Sequence, residues 1–348
     1  MNLKSIAPLV ITLVASLILG CSSTIEQEDT NAETQNVNID PLPSWNEGDV
    51  KESVISYVEN VTDTSDVDFI PVSDRIAVFD NDGTMWCEQP LYFQLIFTLD
   101  RIKEMSADHP EWSDMPPYSY VLNDDMQGVL NSGMEGLMTL LMTSHADNNT
   151  EEFKSIVLEW FSKAEHSRFN KPYNELVYQP MLELIYFLQD NEFKTYIVSG
   201  GGVEFMRPII SEIYRIPYEQ IIGSSIKTEY SYNDGNPEIV RLPEIDFIDD
   251  KEGKPVNINK ITGKKPVFAG GNSDGDLAML QWTASNKYKN MCLYVHHTDS
   301  VREWAYDRDS HIGKLDKGLD QAQNDGWQVA DMASDWKVIF PFEIKVSD

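Results

Sequence analysis

Residues 76–84 read Ile76-Ala77-Val78-Phe79-Asp80-Asn81-Asp82-Gly83-Thr84, an apolar run that ends in two aspartates and a Gly-Thr turn. Four apolar residues without alternation predict a strand buried on both faces, as in a parallel sheet covered by helices. Gly83 ends the run. Open α/β sheets bind ligands outside the carboxyl ends of their strands. This strand therefore brings Asp80 and Asp82 to a ligand crevice.

Three further runs repeat the pattern. Residues 194–198 are β-rich and end in Ser199-Gly200-Gly201-Gly202; residues 266–269 end in Gly270-Gly271-Asn272-Ser273-Asp274-Gly275-Asp276; residues 291–295 end in His296-His297. Residues 203–214 read as a helix, and Asn233-Asp234-Gly235 marks a hairpin within residues 226–250. The alternation predicts an α/β fold with a Rossmann-like parallel sheet core. Between the first two runs, stripes at helical spacing predict a helical insert: Leu91, Leu95, Ile96 and Leu99, then Leu130, Leu137, Leu140 and Leu141, then Phe153, Ile156, Val157, Trp160 and Phe161, then Met181, Leu184, Ile185 and Leu188. The expected organisation is a core of residues 48–86 and 189–348 with a helical cap at 87–188.

The N-terminus has a different composition. Lys4 precedes an apolar segment, residues 6–19, that is short for a membrane span and reads as a secretory signal covering residues 1–20. Ile18-Leu19-Gly20-Cys21 resembles a bacterial lipobox. That resemblance implies acylation of Cys21 and a place in the cell envelope, on the periplasmic face of the outer membrane in a cell with two membranes. Residues 21–47 are polar and acidic and read as a flexible tether.

The chain has 348 residues, is 41% hydrophobic and carries a formal net charge of −30. Such an excess of acid argues against holding nucleic acid or an anionic membrane by electrostatics, so the membrane would be reached through the lipid alone. A phosphate-bearing partner would need a local cation. Of the three cysteines, Cys87 and Cys292 could pair in an oxidising compartment, but each lies beside an apolar segment and reads rather as a buried thiol. No Cys/His spacing suits a metal.

The strand ends carry groups of compatible chemistry. Asp80 can attack phosphorus to form an acyl phosphate. Asp82 can protonate the leaving oxygen and then deprotonate water. Two carboxylates approaching a phosphate need a cation, and hard oxygen ligands suit Mg²⁺. Ser199 and the amides from Gly200 onward can hold phosphoryl oxygens at a helix N-terminus, and a nearby lysine can neutralise developing charge.

These residues resemble the haloacid dehalogenase superfamily of phosphohydrolases. Asp80-Asn81-Asp82-Gly83-Thr84 is similar to its first motif, Ser199 after a β-run to the second, Lys254 in Glu252-Gly253-Lys254-Pro255-Val256 to the third, and residues 271–276 to the fourth. The order is the family's, and the insert resembles the helical cap of phosphoserine phosphatases. The resemblance implies Asp80 as nucleophile and metal ligand, and Asp82 as acid/base with its carbonyl on the metal. It implies Ser199, Gly200 and Lys254 as phosphoryl binders, and Asn272 and Asp276 as further metal ligands. Asn272 stands where the family usually has Asp, which removes one negative charge. Lys251 and Lys260 are alternatives to Lys254. Glu88-Gln89 stands where phosphoserine phosphatases carry two glutamates, so phosphoserine is not implied. The second aspartate, Asp82, favours phosphate-ester hydrolysis over dehalogenation. The expected activity is a Mg²⁺-dependent phosphomonoesterase acting on a small phosphorylated substrate. The alternatives are a phosphotransferase using the same intermediate, and a catalytically impaired lipoprotein that binds an anion or a partner.

Overall fold

The computed structural model describes residues 40–233 and 235–344. The signal segment and Cys21 lie outside these residues. The described elements, in chain order, are α1 (Asp49–Thr62), β1 (Ile76–Phe79), α2 (Phe93–Met105), α3 (Tyr118–Leu122), α4 (Met126–Asn131), α5 (Gly133–His145), α6 (Thr150–Phe161), β2 (Glu165–His166), β3 (Lys171–Pro172), α7 (Gln179–Asp190), β4 (Lys194–Gly202), α8 (Val203–Ile213), β5 (Ile221–Asn233), β6 (Asn236–Phe247), α9 (Gly253–Thr262), β7 (Phe268–Gly271), α10 (Leu277–Ala284), β8 (Met291–Thr298), β9 (Ala305–Tyr306), α11 (Lys317–Asp325), β10 (Gln328–Asp331) and α12 (Met332–Asp335).

The main sheet runs β10-β8-β7-β1-β4-β5-β6, with β9 beside β8. From β10 to β5 every pairing is parallel; β5–β6 and β8–β9 are antiparallel. This is the Rossmann-like α/β core expected from the sequence. Chain order reverses at β1, which pairs with β4 on one side and β7 on the other. Such a reversal opens a crevice at the strand carboxyl ends. All four β1 residues are buried, which explains a run with no polar alternation.

Hydrophobic burial holds the two faces. On one, Phe79, Ile197, Phe268 and Leu293 join a cluster with residues of α1, α7 and α8; on the other, Val78, Val198, Ala269 and Tyr294 pack with Ile258 and Leu280. The insert has its own small core of Leu99, Ile102, Trp112, Val121, Val129 and Leu140. α6 is fixed at its start by a reciprocal capping box between Asn149 and Glu152, satisfying amides that a helix start leaves open.

Two boundaries differ from the sequence reading. The fourth stripe, placed in the cap, forms α7 and belongs to the core. Met181, Leu184, Ile185 and Leu188 pack in the sheet's cluster, Gln189 Nε2 donates to Thr195 Oγ1 at 3.0 Å, and Tyr186 donates to the Ile213 carbonyl at 2.5 Å. Helical periodicity alone does not say which partner a stripe faces. The tether, in turn, does not extend to residue 47. Leu42, Ser44 and Trp45 are buried, Trp45 packs edge-on against Trp336 and donates to the Pro180 carbonyl, and Lys51 ties Asp40 and Glu47 to α1. Two large apolar side chains suffice to anchor a segment whose average composition is acidic.

Candidate active site

The carboxyl ends of β1, β4 and β7 converge, and α9 adds a lysine from beside them. Asp80 follows β1 and its amide donates to the Gly270 carbonyl at 3.0 Å, locking the first and fourth motifs together. Lys254 is 2% exposed, and its Nζ donates to Asp80 Oδ1 and Asp276 Oδ1, both at 2.5 Å. Lys251 and Lys260 are exposed. Geometry therefore selects Lys254 among the three.

Burial alone would lower the Lys254 pKa, but the Asp276 and Asp80 charges override it and raise it. The lysine is thus a fixed cation. Burial, then the Asp276 charge, pushes Asp80 well above the usual carboxylate range, with Lys254 opposing. Asp82 sits across the turn. It accepts from Trp86 Nε1 at 2.9 Å and from Ser199 Oγ at 3.3 Å. Burial raises its pKa, the direction an acid/base group needs to hold a proton near neutrality.

Ser199 ends the buried part of β4 and is itself fully buried. Its Oγ accepts from the Gly201 amide at 3.0 Å. Gly200 lies at the exposed rim, its carbonyl accepting from Ser224 Oγ at 2.8 Å. The cap reaches this loop through Gln94 of α2, whose Oε1 accepts from the Gly202 amide at 2.7 Å. Its Nε2 meets His145 Nε2 at 2.9 Å. Burial and the neighbouring Arg241 charge lower His145 to about 3, so a neutral ring accepts from the Gln94 amide. A Cβ on Gly202 would lie 2.7 Å from Gln94 Nε2, so glycine is what permits this approach.

Asp276 is placed differently from its expected role as a metal ligand. Its Oδ1 takes Lys254, while its Oδ2 accepts from the Asn272 and Ser273 amides, both at 3.0 Å. Both oxygens are committed to holding the lysine and the loop. Asn272 is 1% exposed, and its Oδ1 accepts from Thr84 Oγ1 at 3.2 Å; the same hydroxyl stands 3.4 Å from Asp80 Oδ2. The single hydroxyl hydrogen can satisfy only one of these two acceptor oxygens at a time.

That shortage is the test of a cation here. Asp80, Glu88 and Asp276 are buried and Asp82 nearly so, with Lys254 the buried cation among them. Asp80, Asp82 and Glu88 are all raised, burial first among the causes. Among the described residues no three His, Cys, Asp or Glu side chains stand together as a metal cage. The set is instead the Asp80 carboxylate and the Asn272 amide oxygen, both hard donors that fit a Mg²⁺-like ion.

Several residues reach the site that the four motifs do not name. His297, read as one of a polar pair ending a strand, is buried and donates through Nε2 to the Gly83 carbonyl at 2.7 Å. Its ring stacks on Tyr306 at 4.3 Å, and its Nδ1 meets Glu303 Oε2 at 3.2 Å. Glu303 also accepts from Tyr178 and, through the same oxygen, faces Cys87 Sγ. Cys87 and Cys292 are free buried thiols, as their apolar neighbours predicted. Arg168 and Lys171 of the insert lie over Trp304 and Phe342. A cavity of about 670 Å³ in the insert, lined in part by Met105, Trp112 and Met142, contains none of the strand-end residues.

No family model and no curated protein matches the chain. Among solved structures, a protein with unknown function from Bordetella pertussis is 16% identical, with TM-score 0.46, covering 74% of this chain and 98% of that one. A functionally unknown protein from Anaerococcus prevotii is 15% identical, with TM-score 0.47, covering 80% and 91%. A phosphoserine phosphohydrolase-like protein from Francisella tularensis is 17% identical, with TM-score 0.35, covering 64% and 87%. The reading of the site rests on its own geometry.

Proposed function

We propose that this chain is a phosphomonoester hydrolase of the haloacid dehalogenase type, working through an aspartyl phosphate on Asp80. The observation that carries the reading is the buried Asp80–Lys254–Asp276 bridge beside an Asp82 bonded to Ser199. A structural ion pair would not need a second carboxyl at the strand tip, nor a serine and glycine loop opposite it.

In this reading an Asp80 carboxylate oxygen forms a bond to phosphorus as the bond to the ester oxygen breaks. Asp82 delivers its proton to the departing oxygen. Asp82 then takes a proton from water, whose oxygen attacks phosphorus and releases Asp80. Lys254 and Ser199, with the Gly200 amide, offset the charge on the phosphoryl oxygens. Asp80, the Asp82 carbonyl and Asn272 Oδ1 would hold Mg²⁺, which when bound would supply positive charge to offset that of the carboxylates and the phosphate.

The test uses the full chain purified in detergent with p-nitrophenyl phosphate, in Mg²⁺ or EDTA, beside Asp80→Asn. Release that requires both Mg²⁺ and Asp80 is expected; release independent of Asp80 would overturn the reading. Faster turnover with an added alcohol would assign the alternative, phosphoryl transfer. We further infer a lipid on Cys21 that holds the enzyme in a bacterial envelope. Acyl mass on the wild-type chain, absent from Cys21→Ala, is the expected result.

A further inference from the structure

Asn272 leaves the cation site one charge short of the family pattern, and the structure shows what stands behind it. Its Nδ2 donates to Glu88 Oε1 at 2.7 Å, and Tyr306 donates to the same oxygen at 2.8 Å. Glu88 is 2% exposed. The reverse amide orientation would set two oxygens against each other, so Glu88 fixes Asn272 with Oδ1 toward Thr84 and Asp80.

The backbone makes room for this carboxylate. Gly83 at φ +76° and Gly313 at φ +65° flank it, and a Cβ on either would lie 2.3 Å and 2.0 Å from Glu88 Oε1. The Gly83 Cβ would also lie 2.0 Å from Asn272 Nδ2. A buried carboxylate held by an amide and a phenol, between two left-handed glycines, is a built feature.

We propose that Glu88 is the charge-bearing partner of the divalent-cation site, acting through Asn272 in place of a carboxylate at position 272. This rests on the cation reading of the proposed function. The amide supplies the contacting oxygen, and the negative charge sits one bond further out. Outer partners of this kind orient the inner ligand and raise its affinity. It also gives Glu88 a role other than recognising a substrate amine, because the oxygen is turned to Asn272.

The test is Mn²⁺ binding to the full chain in detergent, read from the electron paramagnetic resonance signal of free Mn²⁺, with no turnover involved. Glu88→Gln should weaken binding about tenfold or more. Asn272→Asp alone should not tighten it, since the new carboxylate faces Glu88 without a hydrogen between them. The double variant Glu88→Gln with Asn272→Asp moves the charge inward and restores the hydrogen bond, so binding should return to within about threefold of wild type, a strongly non-additive cycle. Thermal unfolding without metal checks that each variant folds; should Glu88→Gln not fold, Tyr306→Phe, which removes one donor to Glu88, is measured in its place and should also shift Mn²⁺ affinity. Wild-type binding with unchanged Glu88→Gln affinity, or a double variant no better than Glu88→Gln, overturns the proposal and leaves the phosphatase reading intact. A wild-type chain that binds no Mn²⁺ overturns both the proposal and the cation assignment.

Discussion

Asp249 lies between β6 and α9, fully buried, with neither carboxylate oxygen in hydrogen-bond contact. Burial pushes it up from 3.8 to about 7, with the Lys254 charge pulling the other way. The folded pKa exceeds the unfolded one, so the native state binds the extra proton between these values. Stability from this group is therefore lost as pH rises through that window and is flat above it. A shift of roughly three units at about 1.4 kcal/mol each makes the full penalty about 4 kcal/mol, of which about 2–3 kcal/mol falls between pH 5 and pH 8. Asp249→Asn removes the titration while keeping the shape. Urea unfolding of wild type and variant at pH 5 and pH 8 should show the variant's relative stability rising by about 2–3 kcal/mol across the interval. Any fixed cost of the amide cancels in that difference. A relative stability unchanged between the two pH values would refute the claim that Asp249 is an uncompensated buried acid.

Lys254→Met leaves Asp80 and Asp276 buried without their cation and should cost about 3–5 kcal/mol in unfolding free energy, with p-nitrophenyl phosphate turnover falling about a hundredfold or more. Gly83→Ala forces a Cβ to within 2.0 Å of Asn272 Nδ2 at φ +76°; a loss above about 3 kcal/mol in thermal or urea unfolding is expected. Trp45→Ala should cost about 3–5 kcal/mol, whereas a residue in a free tether would stay within about 0.5 kcal/mol.

The parallel core was legible because β1, β4, β7 and β8 each carry an unbroken apolar run ending in polar residues, a pattern that local sequence records. The three strand-end motifs were legible for the same reason, and the structure brings Asp80, Asp82, Ser199, Asn272 and Asp276 together with Lys254 of α9. What escaped are contacts made across the fold. Asp276 reads as one more ligand until its oxygens are seen to be taken by Lys254 and two amides. His297, Tyr306 and Gln94 reach the site from β8, β9 and the insert, at distances in sequence where no spacing rule operates. The boundaries at Trp45 and α7 depended on partners, Trp336 and the sheet, that lie far along the chain.

The placement of β1 at the centre of the sheet has a kinetic consequence. Phe79 pairs with Ile197 on one side and with Gly270 on the other. During synthesis the central strand is made first and its last neighbour long afterwards, so Ala77 and Phe79 wait with an open edge until β7 emerges. Loop-closure entropy must be met before those pairings reward it, which makes folding slow and leaves apolar edge exposed meanwhile. Refolding from urea should therefore proceed in seconds rather than milliseconds, and its yield should fall as protein concentration rises.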